Sequence, residues 1–286
     1  MEINPLTEAD VGGYADLLIA AGAVDDPSGP ELTRERVAAG LRSPDGAIRL
    51  VARRDGEVVG AARALAAGLN TEMSVVSVTV HPAWRRQGIG TALLDALGLD
   101  RMASAGVVKG SAGEPWALAR GFRVSSSVVE QRLQVASADQ SWWDVPAPAG
   151  HREERWTDAV PEHLLAAVVE GRFRGSQAEM VRGCEAVVRK NGGDPRVVAA
   201  IEEATGRVVA LTDLLISPKL PTVARTTDVV AAPPDLSRFV KASALRWLVA
   251  ERPDVTQVQV KILAGDPEAN SSLGFVTVRE LLTVTR

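Results

Sequence analysis

Residues 80–94, VHPAWRRQGIGTALL, hold the groups in this chain best suited to gripping an anion. A β-rich run, VSVTV, ends at Val80. A basic turn follows with Arg85, Arg86 and Gln87, and Gly88 and Gly90 open a helical run. Ile89, Leu93, Leu94 and Leu97 recur there at helical spacing. The N–H groups of a first helical turn have no internal partner and carry the positive end of the helix dipole. Glycine at 88 and 90 keeps side chains away, so a pyrophosphate could approach the backbone closely. Arg85 and Arg86 add positive charge at the rim.

Groups for acid–base or covalent chemistry are few. The single tyrosine is Tyr14 and the single cysteine is Cys184, so an intrachain disulfide and a two-thiol metal site are excluded. His81, His151 and His163 show no spacing typical of a zinc site, and no metal is expected. Cys184 reads as a packed or surface thiol rather than a nucleophile.

The cradle resembles that of the GNAT superfamily of acyl-CoA-dependent N-acyltransferases. The family signature, Arg/Gln-x-x-Gly-x-Gly/Ala after a strand, is matched by Arg85, Gly88 and Gly90. Val80-His81-Pro82 before it and Gly121-Phe122 after it match further landmarks. The resemblance implies acetyl-CoA or another acyl-CoA as co-substrate, bound by Val78, Val80, Arg85, Arg86, Gln87, Gly88, Ile89, Gly90 and Thr91. It implies direct attack of a neutral amine on the thioester, with the Val80 N–H stabilising the oxyanion. Pantetheine would pair with the same strand as an added β-strand. The implied acceptor is a small amine-bearing metabolite or antibiotic-like compound.

Two family positions depart from the pattern. The tyrosine that many members use to reprotonate the thiolate is replaced by Ala117. With a thiol pKa near the cysteine value of ~8.5, water could take that role. The glutamate base expected six residues before Val80 is Ser74. Glu72 lies on the same strand face, displaced by roughly 6–7 Å, and is the first candidate base; Glu114 is the second. His81 sits in a turn, and Asp25, Asp26 and Glu31 lie in a loop that borders the acceptor in this family. The departures keep open a non-catalytic acyl-CoA- or metabolite-binding module. Tandem GNAT folds are also used in aminoacyl-tRNA-dependent amide formation, a third reading against which the intact cradle and net acidity speak.

The elements that must position the cradle occur twice, 150 residues apart. Asp55-Gly56-Glu57-Val58-Val59-Gly60 reads like Thr205-Gly206-Arg207-Val208-Val209-Ala210, each a Gly-containing turn between β-rich runs. VSVTV (76–80) is matched by TTDVV (226–230), and Gly121-Phe122 by Gly274-Phe275. So long a period means duplicated domains. The whole chain thus resembles tandem GNAT proteins of the mycothiol-synthase type. The expected fold is α/β, two tandem GNAT-like domains, each a mixed, mostly antiparallel sheet flanked by helices. Residues 1–146 form the acyl-CoA-binding domain and 147–286 a degenerate domain for scaffolding or acceptor binding. SADQSWWDVPAPAG (137–150) reads as the junction, with Trp142 and Trp143 as a clasp between domains. The same offset carries Arg85 onto Asp235, Gly88 onto Arg238 and Gly90 onto Val240, which removes the anion chemistry.

Composition agrees with two buried cores: 286 residues, 46% hydrophobic. Lys and Arg total 32 against 36 acidic residues, without the positive balance that nucleic-acid binding requires. No apolar run reaches the roughly 18 residues of a spanning helix, and MEINPLTEAD lacks a secretory pattern. A cytoplasmic protein with a small-molecule partner, no membrane and no nucleic acid is expected, with room for a homodimer.

Overall fold

The structure is a computed structural model that describes all residues except 28, 30, 43–45, 68, 69, 100, 101, 158–192, 219, 228–232 and 264–269. Cys184 and His163 lie outside the described residues. The chain divides into two compact units: Met1–Ser127 with Glu280–Arg286, and Val128–Arg279.

Unit 1 contains β1 (Glu2–Pro5), α1 (Val11–Asp25), α2 (Arg34–Arg42), β2 (Ile48–Arg54), β3 (Glu57–Ala67), β4 (Asn70–Val80), α3 (Ile89–Ala96), β5 (Met102–Val108) and α4 (Gly113–Leu118). The first part of β6 (Arg123–Gln134) and the last part of β12 (Val276–Thr285) complete it. Its strand order is β1-β2-β3-β4-β5-β12-β6. Among the described residues β4 and β5 run parallel, whereas β1·β2, β2·β3, β3·β4 and β5·β12 are antiparallel. The β2–β3 hairpin closes on Asp55 and Gly56, both at positive φ (52° and 84°), the two-residue turn whose twist suits a hairpin.

Helix α3 presents one apolar stripe. Ile89, Leu93, Leu94 and Leu97 are all buried, each contributing about 1.5–3 kcal/mol of apolar burial. The stripe lies directly on Gly60 of β3, where an added Cβ would come within 2.9 Å of both Ile89 and Leu93. A side chain there would lift the helix off the sheet. On another cluster, α1 packs Leu17 against Val51 and Ala61. Its start is fixed by Asp10, whose carboxylate takes bonds from Arg53 (2.8 and 2.5 Å) and from the N–H and hydroxyl of Thr7 (2.8 and 2.6 Å).

Unit 2 contains β7 (His151–Trp156), β8 (Asp194–Glu202), β9 (Val208–Ile216), β10 (Val223–Thr227), α5 (Pro234–Glu251) and β11 (Gln257–Leu263). Its strand order is β12-β6-β11-β10-β9-β8-β7. The β8–β9 hairpin repeats the β2–β3 hairpin, including a register shift near its turn. Of the TTDVV run, 226 and 227 belong to β10, and 228–230 lie outside the described residues.

The division differs from a boundary at 146/147. It falls inside β6, because residues 128–134 pair with β11 while the preceding residues belong to unit 1. The SADQSWWDVPAPAG stretch (137–150) likewise lies inside unit 2 rather than at the division. Trp143 is 1% exposed in the unit 2 core, and its indole N–H donates to the Leu273 carbonyl at 2.9 Å. Trp142 is about half exposed and lies against Gly274.

Candidate functional site

Among the described residues, strands β4 and β5 are neighbours for three residue pairs, Met73–Val75 with Met102–Ser104. Beyond these β5 stays paired to β12 as far as Val108, while β4 stays paired to β3 as far as Val80. The two strands therefore part. Val76–Val80 and Ala105–Val108 line opposite sides of a groove of about 920 Å³, which continues to the α3 N-terminus and to α4. The His81 N–H bonds to the Val59 carbonyl at 3.0 Å. Antiparallel alternation then turns the N–H and C=O groups of Val80, Val78 and Val76 away from β3, toward the open edge. The Val80 carbonyl accepts from Arg85 Nε at 3.1 Å, which leaves its N–H on that edge.

At the groove's end the loop before α3 contains Arg86 at φ 65° and Gly88 at φ 79°. A non-glycine residue in the left-handed region costs energy, and such strain is often found at ligand sites. Gly88 is the N-cap of α3 and has no side chain to cap with. The first N–H used inside the helix is that of Ala92, bonded to the Gly88 carbonyl at 3.0 Å. The donors of Ile89, Gly90 and Thr91 are left uncapped at the positive end of the dipole. A Cβ on Gly90 would meet Trp116 and Val80 at an ordinary 3.6 Å, so the protein does not itself require glycine there. The space it leaves belongs to the groove.

The charges are distributed differently from the sequence reading. The Arg85 guanidinium is bonded twice to Asp25, at 2.9 and 2.7 Å, and its charge is compensated. Gln87 does not line the groove, and its side chain accepts from Arg54 at 2.8 Å. Arg54 also stacks over Trp84 at 4.9 Å, so these three side chains brace the loop from behind. Arg86 lines the groove with no hydrogen-bond or ion-pair partner among the described residues. A further cation, Arg120, also lines it and was missed by the sequence reading; its one signal was its place directly before Gly121-Phe122. Val78, Val80, Arg85, Arg86, Gly88, Ile89, Gly90 and Thr91 all line the groove as well.

Candidates for proton transfer are not gathered in the same way. Glu72 has its backbone in β4, and its side chain lies outside the described residues. The Glu114 carboxylate accepts from the Gly110 N–H at 2.6 Å and is not part of the groove lining. Ser74 is buried, and Ala117, a buried residue of α4, contributes only a methyl group to the groove lining. His81 Nδ1 accepts from the Ala83 N–H at 3.3 Å and closes its own turn. Glu31 accepts from Arg36 through its backbone carbonyl. Among the described groove residues Asp25 is the one carboxylate, and Arg85 holds it.

Unit 2 lacks both features over its described length. β10 and β11 remain paired from Val223/Gln257 to Thr227/Lys261, so no gap opens between them. The positions matching the cradle are helix rather than loop. α5 begins at Pro234, and Asp235, Arg238 and Val240 all lie within it. Val240 is fully buried in the core.

Comparison with known proteins matches residues 45–124 to the acetyltransferase (GNAT) domain. A tandem GNAT protein from the clavulanic acid biosynthesis pathway, solved without AcCoA, is 26% identical, with a TM-score of 0.74. The match covers 100% of this chain and 98% of that one. A GCN5-related N-acetyltransferase from Sphaerobacter thermophilus shares the fold at 16% identity and TM-score 0.73, covering 100% and 95%. A protein from Pyrococcus horikoshii described as an acetyltransferase follows at 17% and 0.56, covering 100% and 88%. No curated protein matches the sequence. Residues 45–124 of unit 1 thus match a GNAT acetyltransferase domain, and the whole chain shares the fold of a tandem GNAT protein. No helix among the described residues is long and apolar enough to cross a membrane.

Proposed function

We propose that this tandem GNAT protein is an acetyl-CoA-dependent N-acetyltransferase that acts on a small amine-bearing acceptor, with one working site in unit 1. The observation that carries the reading is the parting of β4 from β5 above three uncapped helix N–H groups. A pantetheine arm needs an open strand edge, and a pyrophosphate needs convergent donors with no side chain in the way. The residues fit both needs: Val76, Val78 and Val80 for the arm, and Gly88, Ile89, Gly90, Thr91 and Arg86 for the phosphates.

Acetyl-CoA, when bound, supplies an activated thioester carbonyl. The Val80 N–H would donate to the oxygen on which charge develops. Glu72 would take the amine proton, directly or through a water. Since Ala117 stands where a tyrosine acid would be, water would reprotonate the leaving thiolate. The tandem GNAT relative from clavulanic acid biosynthesis is in keeping with a small acceptor.

The test begins with calorimetry on CoA and acetyl-CoA, followed by thiol release from acetyl-CoA across a panel of small amines. Failure of the wild-type protein to bind either would sink the reading. A second reading, a non-catalytic acyl-CoA-binding module, is favoured by two observations. Glu114 is turned to the Gly110 N–H, and the lone described groove carboxylate is paired with Arg85. Tight CoA binding with no amine-dependent thiol release would select it.

A further inference from the structure

Arg120 sits where the chain turns from α4 into β6. Its N–H bonds to the Ala117 carbonyl at 2.9 Å, Gly121 follows at φ 82°, and the Phe122 N–H returns to the Ala117 carbonyl at 3.2 Å. Phe122 is then buried in the core, with the Arg286 guanidinium over its ring at 5.2 Å. This turn fixes the Arg120 backbone and sends the guanidinium to α3, where one terminal nitrogen donates to Thr91 Oγ at 2.6 Å. Trp116 Nε1 approaches the same oxygen at 3.4 Å. Among the described residues, Arg120 Nε is buried without a partner, and no carboxylate is bonded to the guanidinium.

The guanidinium is thus a held, uncompensated charge in the groove, bonded to the third residue of the helix whose first N–H groups are uncapped. Of the three arginines lining the groove, Arg85 is neutralised by Asp25 and Arg86 belongs to the exposed loop. We infer that Arg120 is a phosphate-binding residue of the CoA site, and that it donates to the pyrophosphate next to the α3 N-terminus. A guanidinium with an orphaned buried N–H gains a charge-assisted bond when a phosphate oxygen arrives, and the cost of leaving that donor dry is relieved. The inference rests on the CoA reading of unit 1.

The experiment measures affinity for CoA, 3′-dephospho-CoA and pantetheine in wild type, Arg120→Ala, Arg120→Lys and Thr91→Val, with melting temperatures as the control for folding. Arg120→Ala should weaken CoA and 3′-dephospho-CoA equally, by about 10- to 100-fold, and leave pantetheine binding unchanged. Arg120→Lys should recover part of the loss, and Thr91→Val, which removes the anchor of the guanidinium but keeps its charge, should weaken CoA and 3′-dephospho-CoA by less than Arg120→Ala does. A loss confined to CoA would move Arg120 to the 3′-phosphate and overturn the assignment. Unchanged CoA affinity in a folded Arg120→Ala would overturn it outright. Wild type that binds no CoA would instead defeat the reading of the groove itself. If Arg120→Ala does not fold, Arg120→Lys and Arg120→Gln carry the same comparison.

Discussion

Arg85, the arginine of the glycine motif, is bonded through both terminal and inner guanidinium nitrogens to the last residue of α1 and to its own strand: Asp25 at 2.9 and 2.7 Å, the Val80 carbonyl at 3.1 Å. The side chain that signals the motif in sequence is a brace, joining α1 to the loop before α3. Its removal should act mainly through the carboxylate it leaves behind. Arg85→Gln alone should weaken CoA about fivefold, the repulsion of a charge near 4 Å in water. Adding Asp25→Asn should restore affinity to within about threefold of wild type. Titration of the two variants decides the matter: equal losses in single and double variants would mean that Arg85 itself holds phosphate.

Gly90→Glu should abolish CoA binding while the protein remains folded. The Cβ has ordinary clearance from Trp116 and Val80, so the fold tolerates a side chain. The carboxylate then occupies the space over the uncapped donors and repels phosphate. Calorimetry combined with a melting curve checks both halves of the statement.

One CoA should bind per chain. Among its described residues, unit 2 keeps β10 against β11 and buries Val240 within α5, and these show neither an open edge nor a glycine loop. Titration at high protein concentration should saturate at one equivalent, and Gly90→Glu should remove it. A second equivalent would contradict the reading of α5.

Glu72 and Glu114 should separate in kinetics. Glu72→Gln should lower kcat by about 100-fold near neutrality, with a smaller loss at higher pH. Glu114→Gln should leave kcat within about twofold and lower stability slightly, since its carboxylate caps the Gly110 N–H. The pH–rate profile of each variant is the measurement.

Asp10 should make unit 1 sensitive to acid. The bonds from Arg53, and then those from Thr7, lower its pKa from 3.8 to about 2, against an opposing effect of burial. A carboxylate depressed in the folded state stabilises fully above its unfolded pKa and loses that contribution as pH falls through the folded value. Asp10→Asn should therefore cost on the order of 1–2 kcal/mol at pH 7. The difference from wild type should shrink between about pH 4 and pH 2. Denaturant midpoints across that range provide the test.

Much of this was legible in the sequence because it is local. The hairpin turns, the buried stripe Ile89, Leu93, Leu94 and Leu97, and the glycine loop depend on neighbours a few residues apart. The α5 start was legible too, since Pro234 stands at the first helical position, where proline is favoured. The carried-over offset hid it. What could not be read is long-range. Asp25 cancels Arg85 from 60 residues away, and Arg120 reaches Thr91 from 29. The division inside β6 depends on which strand each half of it pairs with, a choice that hydrophobic alternation alone does not specify.

The sheet of unit 1 includes Glu280–Arg286, whose backbone bonds to Ala103 at 2.8 and 2.9 Å and to Lys109 at 2.9 Å. On the ribosome, therefore, the nascent unit 1 waits for a strand translated about 150 residues after the rest of its sheet. Until then β5 has an unpaired edge, the kind of surface that invites misassociation and chaperone capture.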